Sequence, residues 1–230
     1  PGPGFLGDAD ARGPRRGRAQ RRADAAQRRP GPKILRIQAR HWRQDEQGQE
    51  TYQDAADLIY FPRVLTIEPG SEAVVRLGLR QADTAVERTW RVFVEELPPA
   101  RSGPRPAGAE VKVLVRFGVP VFARPAKPAH QLTLEEFALD GAQVRWLLHN
   151  QGNQHQTVQE LTLRGEDAAG QAVFTEQPAA RYLLADSRRR FAVDLPPSPA
   201  CQRLSHLDLR IKTDQAELTR RLALAPGSCP

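Results

Sequence analysis

The chain has no methionine, two cysteines, and aromatic residues at only 6% of its 230 positions. No stretch approaches the roughly 18 consecutive apolar residues of a membrane-spanning helix. No short apolar region following a basic start marks a secretory leader; the expectation is a processed or incomplete chain that, if exported, has already lost one. The nucleophile elbow G-x-S-x-G, the zinc helix H-E-x-x-H and a phosphate-cradling glycine loop are all missing, which removes the common hydrolase, metalloprotease and nucleotide-binding classes. His149 and His155 frame a polar heptapeptide, His149-Asn150-Gln151-Gly152-Asn153-Gln154-His155, with no carboxylate or cysteine nearby. It reads as a turn in which Asn and Gly supply the backbone freedom, not as a metal site. The expectation is a protein that is not an enzyme and uses neither cofactor nor metal.

Charge is present but unevenly spread. Residues 1–32 carry eight arginines against Asp8, Asp10 and Asp24, which accounts for +5 of the net +7. A basic arm binds phosphates without sequence preference, yet this one has a single aromatic, Phe5, and so no platform for stacking bases. No nucleic-acid partner is expected, and none of the chain is expected to insert into a membrane.

From residue 33 the texture becomes period-2 alternation of apolar and polar residues, the signature of half-buried strands. Strands are expected at 34–42, 58–67, 73–79, 90–97 and 111–122, then at 132–139, 143–149, 157–164, 171–174, 189–195, 207–213 and 217–224. Short strands separated by frequent turn signals indicate sandwiches. Arg124-Pro125-Ala126-Lys127-Pro128 is a stiff joint between two series, because each proline fixes φ and restrains its predecessor. The domains expected are 33–126 and 127–230, with 1–32 as a disordered or frame-shifted basic segment. The last two strands form a hairpin turning near Thr213-Asp214-Gln215. Paired residues in such a hairpin sum to a constant, and Cys201 and Cys229 average to 215, so they are expected to face each other and close a disulfide. A disulfide implies an oxidising compartment.

The segment from Val111 to Phe122 is unusual. Its odd positions, Val111, Val113, Val115, Phe117, Val119 and Val121, are all apolar, whereas its even positions include Lys112, Arg116, Gly118 and Pro120. Two readings stay open on the residues alone: a core strand with its apolar face inward, or a long edge strand that offers this row to a partner sheet.

The run Glu95-Glu96-Leu97-Pro98-Pro99, a Pro/Gly loop, and an alternating strand ending Phe122-Ala123-Arg124-Pro125 resembles the F1-to-G1 region of the periplasmic pilus-assembly chaperones of the chaperone–usher pathway. Pro62 to Gly70 resembles their D1–E1 stretch, and Asn150 to His155 a turn of their second domain. The resemblance spans about residues 33–230. It implies an all-β fold of two immunoglobulin-like β-sandwich domains and a periplasmic chaperone that donates its G1 edge strand to pilin subunits and delivers them to an outer-membrane usher. By position, Val111, Val113, Val115 and Phe117 would be the donor side chains, and Glu96, Arg124 and Asp214 an interdomain ion network. Many members carry a late G1 lysine that grips the subunit's terminal carboxylate; Pro120 stands at that position here. Arg116-Phe117-Gly118-Val119-Pro120-Val121-Phe122 is closer to the archaic branch that serves spore-coat-U-type subunits, leaving Arg91 or Arg116 as the candidate anchor. The alternative function is an immunoglobulin-like adhesin or carbohydrate-binding module, which needs an exposed aromatic platform from Trp42, Trp90 or Trp146.

The family's first domain opens with two strands, and residues 1–32 contain neither. With Arg coded CGN, a one-base forward shift over residues 7–30 turns Asp-Ala pairs into Thr or Met and Gln-Arg pairs into Ser or Asn. The shifted frame permits V-T-P-M-R-V-D-L-A-E-G-E-R-S-A-V-L-T-L-R-N, two strands around a Glu/Gly turn. A chain lacking those strands is expected to be poorly stable and to bind subunits weakly.

Overall fold

The computed structural model describes residues 31–81, 84–98 and 113–229. They form fifteen strands and one three-residue 3-10 turn, Cys201–Arg203, in two compact units. The described part of the first is 31–42, 52–81, 89–98 and 113–122; that of the second is 43–51, 84–88 and 123–229.

In the first unit, β1 (Lys33–Gln44) lies between β6 (Arg88–Leu97) and two short strands, β2 (Glu50–Asp54) and β4 (Val64–Ile67), while β7 (Arg116–Ala123) flanks β6. A second sheet consists of β3 (Leu58–Phe61) and β5 (Arg76–Leu79). The register Ile37↔Val94, Ala39↔Val92 and His41↔Trp90 sets the buried residues Ile37, Ala39, Trp90 and Val92 on one face of the large sheet. Arg36, Gln38 and Arg40 stand opposite Glu95, Phe93 and Arg91 on the other face. The expected strand 58–67 is divided at Pro62, which has no N–H to give a ladder. β2 escapes sequence reading because Glu50-Thr51-Tyr52-Gln53-Asp54 has one apolar residue and is exposed throughout.

In the second unit, β11 (Ala172–Glu176), β10 (Gln156–Glu166), β14 (His206–Thr213) and β15 (Glu217–Ala223) form one sheet, with the two-residue β12 (Tyr182–Leu183) also on β10. The facing sheet is β13 (Ser187–Asp194), β9 (Gln143–Asn150) and β8 (Leu132–Asp140). Alternate residues from both, including Val144, Trp146, Leu148, Leu161, Leu163, Leu207, Leu209 and Ile211, build a continuous core. Trp146 stacks on Phe191 at 5.2 Å between ring centroids. The whole is all-β, with two immunoglobulin-like sandwiches.

Paired residue numbers in the β14–β15 hairpin sum to 429, from His206↔Ala223 to Lys212↔Glu217. The cysteines, summing to 430, fall just beyond the hairpin's open end, and Cys201 is disulfide-bonded to Cys229 with Cα atoms 5.8 Å apart. The polar heptapeptide is a hub of hydrogen bonds. The buried Asn150 amide donates to the carbonyls of Gln154, Leu183 and Leu184. Asn153 donates to the carbonyls of Ala85 and Lys127. His149 pairs with Glu135 at 2.9 Å and His155 with the buried Glu87 at 2.7 Å.

Candidate functional site

The notable feature of the first unit is how the apolar row of β7 divides. Val121 and Ala123 are buried, and Phe122 packs against Trp42 with ring centroids 6.0 Å apart. Val119 is half-buried. Beyond it Phe117, Val115 and Val113 are 45%, 49% and 79% exposed, and Leu114 is 45% exposed. Val111 lies outside the described residues.

The direction of this row follows from its neighbours. Arg116 places its guanidinium 4.3 Å from the centre of the Phe93 ring. A Cβ on Gly118 would meet the Arg91 stem at 2.8 and 2.9 Å and Phe93 at 3.1 Å. Even positions of β7 therefore share a face with Arg91, Phe93 and Glu95, and odd positions share the core face with Val92 and Trp90. Phe117 thus belongs to the odd row of β7, and Val115 and Val113 extend its odd numbering into the exposed segment that leads into the strand.

The backbone is equally open. β7 has β6 as its only strand partner among the described residues. Before β7 begins, the Glu96 amide still donates to the Val115 carbonyl at 2.8 Å. Pro120 lies within β7 and has no N–H to give a ladder, which an edge strand tolerates and a central strand does not. A free edge beside an uncovered apolar row is a template for another strand.

Both candidate anchors are held by aromatic rings. Arg91 lies over Trp42 at 3.9 Å, and Arg116 over Phe93, which meets Tyr52 edge-on at 5.1 Å. Nearby, Arg36 hydrogen-bonds Glu95 at 2.8 Å and holds its carboxyl below the ordinary range, with Arg116 adding to the effect. Glu96 is paired with Lys33 at 3.0 Å. The Asp214 carboxylate accepts from the Thr157 amide at 2.7 Å in the second unit, and Arg124 is exposed just after β7.

Two alternatives lose ground. Trp42, Trp90 and Trp146 are all 0% exposed, so none offers the platform a carbohydrate-binding module requires. Glu166, His206 and Asp208 bring ligand-type atoms within 4.8 Å of one another. However, Arg221 holds both oxygens of Asp208 at 2.8 Å, and Arg164 holds Glu166 at 3.0 Å. That cluster is a charge-balanced network across β10, β14 and β15. Sequence reading missed it, and also missed the Glu87–His155 pair, because the partners are far apart in the chain.

Residues 30–129 match the family described as the pili and flagellar-assembly chaperone, PapD N-terminal domain. No curated protein matches the chain. Among solved structures, the class 5 fimbriae chaperone CfaA is 12% identical with a TM-score of 0.52, over 86% of this chain and 89% of that one. A chain of the CsuC–CsuE chaperone–tip adhesion subunit pre-assembly complex, from the archaic chaperone-usher Csu pili of Acinetobacter baumannii, is 18% identical. Its TM-score is 0.50, over 83% of this chain and 85% of that one. The alternating strand and the edge position lie within the stretch that is similar to this family, and over the whole chain the solved chaperones share the fold of paired sandwiches.

Proposed function

We propose that the protein is a periplasmic chaperone that binds pilin subunits by strand donation and passes them to an outer-membrane usher. The observation that carries this reading is the exposed row Val113, Val115 and Phe117 leading into β7, whose one strand partner among the described residues is β6. A subunit lacking one strand has the complementary defect, a groove of unpaired backbone groups above an open core. Backbone hydrogen bonds supply generic affinity, and alternate side chains filling pockets supply specificity. Val111 extends the donor row by one step. Arg91 and Arg116 are the proposed anchors for an anionic group of the subunit, and Pro120 in the lysine position favours the archaic branch. The region 33–126 is the proposed subunit-binding domain and 127–230 the second domain. The disulfide favours an oxidising compartment such as the periplasm.

The test is co-expression in the periplasm with an archaic-type pilin subunit that lacks its own completing strand. A soluble one-to-one complex on size exclusion supports the reading. Aggregation or proteolysis of the subunit at the rate seen without the chain refutes it.

A further inference from the structure

The second sheet of the first unit is too small for the core it faces. Among the described residues, no residue of β5 is buried, and Leu58 is the only buried residue of β3. Tyr60, Leu77 and Leu79 are left half-covered. Of the large apolar side chains that are exposed, all but Val86 lie in this unit. The second unit, with sheets of five and three strands, has a core of thirteen buried residues, and the one exposed large apolar side chain assigned to it is Val86. An open two-stranded sheet with a half-wet inner face needs further strands. The 32 residues ahead of β1 are enough in number for two of them, but their composition lacks the apolar half of a strand pattern. Residues 7–32 contain only Gly, Asp, Ala, Arg, Pro and Gln, without one Val, Leu, Ile or aromatic residue.

That six-letter composition has its own explanation in the code. The codons of Gly, Asp, Ala, Pro and Gln all begin with G or C, as do the CGN codons of Arg. Twenty-six consecutive codons therefore share a G or C first base; elsewhere the longest stretch whose codons can all begin so is residues 72–83, and the longest built from the same six residue types is 103–109. Uniform G or C is the mark of the third codon position in a GC-rich gene, and this gene is GC-rich: the chain has 30 arginines against Lys33, Lys112, Lys127 and Lys212. None of the codons has T at its second base, which is why no large apolar residue is specified. One base forward, the constrained first base becomes the wobble base, and the unconstrained third base becomes the second, where T specifies Val or Leu.

We infer that the segment encoding residues 7–30 is read one base out of register, and that its forward frame supplies two strands that extend the β3–β5 sheet over Tyr60, Leu77 and Leu79. Asp8-Ala9, Asp10-Ala11 and Asp24-Ala25 become Thr or Met, and Gln20-Arg21 and Gln27-Arg28 become Ser or Asn. Every other shifted codon permits Val or Leu, so two alternating strands fit within the segment. The inference uses sheet completeness and codon structure, not subunit binding, so it stands or falls apart from the chaperone reading.

The test has two arms. The protein made by its own cells is digested and its N-terminal peptides are sequenced by mass spectrometry. Peptides of the forward frame joining Lys33 support the inference, and peptides of the arginine-rich frame overturn it. In parallel, the present chain and a frame-restored chain are compared by thermal melting, amide exchange and sedimentation. The expected result is a monomeric restored chain with a cooperative melt and newly protected amides in β3 and β5. Equal melts overturn the assignment of those strands. So does a present chain that already protects β3 and β5 by dimerising, because the occupant is then a second copy.

Discussion

Replacing Val113 with Asp separates a row that faces a partner from a row that faces the protein's own core. In the free protein Val113 is 79% exposed, so the new carboxylate stands in water. A change there moves stability by no more than about 0.5 kcal/mol. On subunit docking the same position becomes dry. Full burial of a valine is worth about 1.5–3 kcal/mol, and the exposed fraction scales the part gained on binding to about 1.2–2.4 kcal/mol. The variant loses that gain and also buries an unpaired charge, which adds several kcal/mol. The total is about 4 kcal/mol or more, on the order of a thousandfold in Kd. Val115→Asp follows the same logic with a smaller apolar loss, its starting exposure being 49%. The internal control is Val121→Asp, three steps further along the same face but buried; it is expected to unfold the first unit. The assay is a thermal melt of each variant beside titration with a strand-deficient subunit. A melting loss for Val113→Asp equal to that for Val121→Asp would refute the division of the row.

Three further outcomes follow from the same structure. Reducing Cys201–Cys229 reopens a loop of 28 residues, for which chain entropy alone predicts a loss of about 3–4 kcal/mol in the second unit. Alkylation before reduction should label neither thiol, and early labelling of both would contradict the pairing. Gly152→Ala places a Cβ 2.4 Å from the Ala129 carbonyl oxygen, a backbone atom, and should cost about 2 kcal/mol or more by denaturant titration; a neutral result would show that this strand connection relaxes. Asp208 is held below its ordinary pKa of 3.8 first by its hydrogen bonds from Arg221. A depressed folded-state value gives stability that is complete above about pH 4 and lost as pH falls through the folded value. Arg221→Ala should therefore flatten the stability profile below pH 4, and an unchanged acid limb would contradict the pairing.

The features legible in the sequence were those with a local period. Alternation located β1, β6, β8, β9, β10, β14 and β15 to within a few residues, because one face of each meets a core. The hairpin sum placed the cysteines within one unit of the observed register, since an antiparallel ladder is arithmetic. Alternation alone could not tell whether the row from Val111 to Phe122 faced inward or outward. It divides, with Val121 buried and Val113 exposed, a change along the row that alternation does not encode. The aromatic seats of Arg91 and Arg116 were equally hidden, since Trp42, Phe93 and Tyr52 reach them from other strands. The polar heptapeptide bends the chain as expected, but no residue in it takes the left-handed φ expected of its Asn and Gly; it is held instead by bonding to Ala85, Glu87 and Lys127, which joins segments that no spacing rule connects.

The most direct test of the central claim is residue-resolved amide exchange of the protein, free and in the presence of a strand-deficient pilin subunit. Strand donation predicts new protection across residues 113–119, where the free edge acquires a neighbour, and little change at Val121 to Ala123, which are already inside. Binding without protection at 113–119, or with protection confined to another edge such as β15, would contradict it.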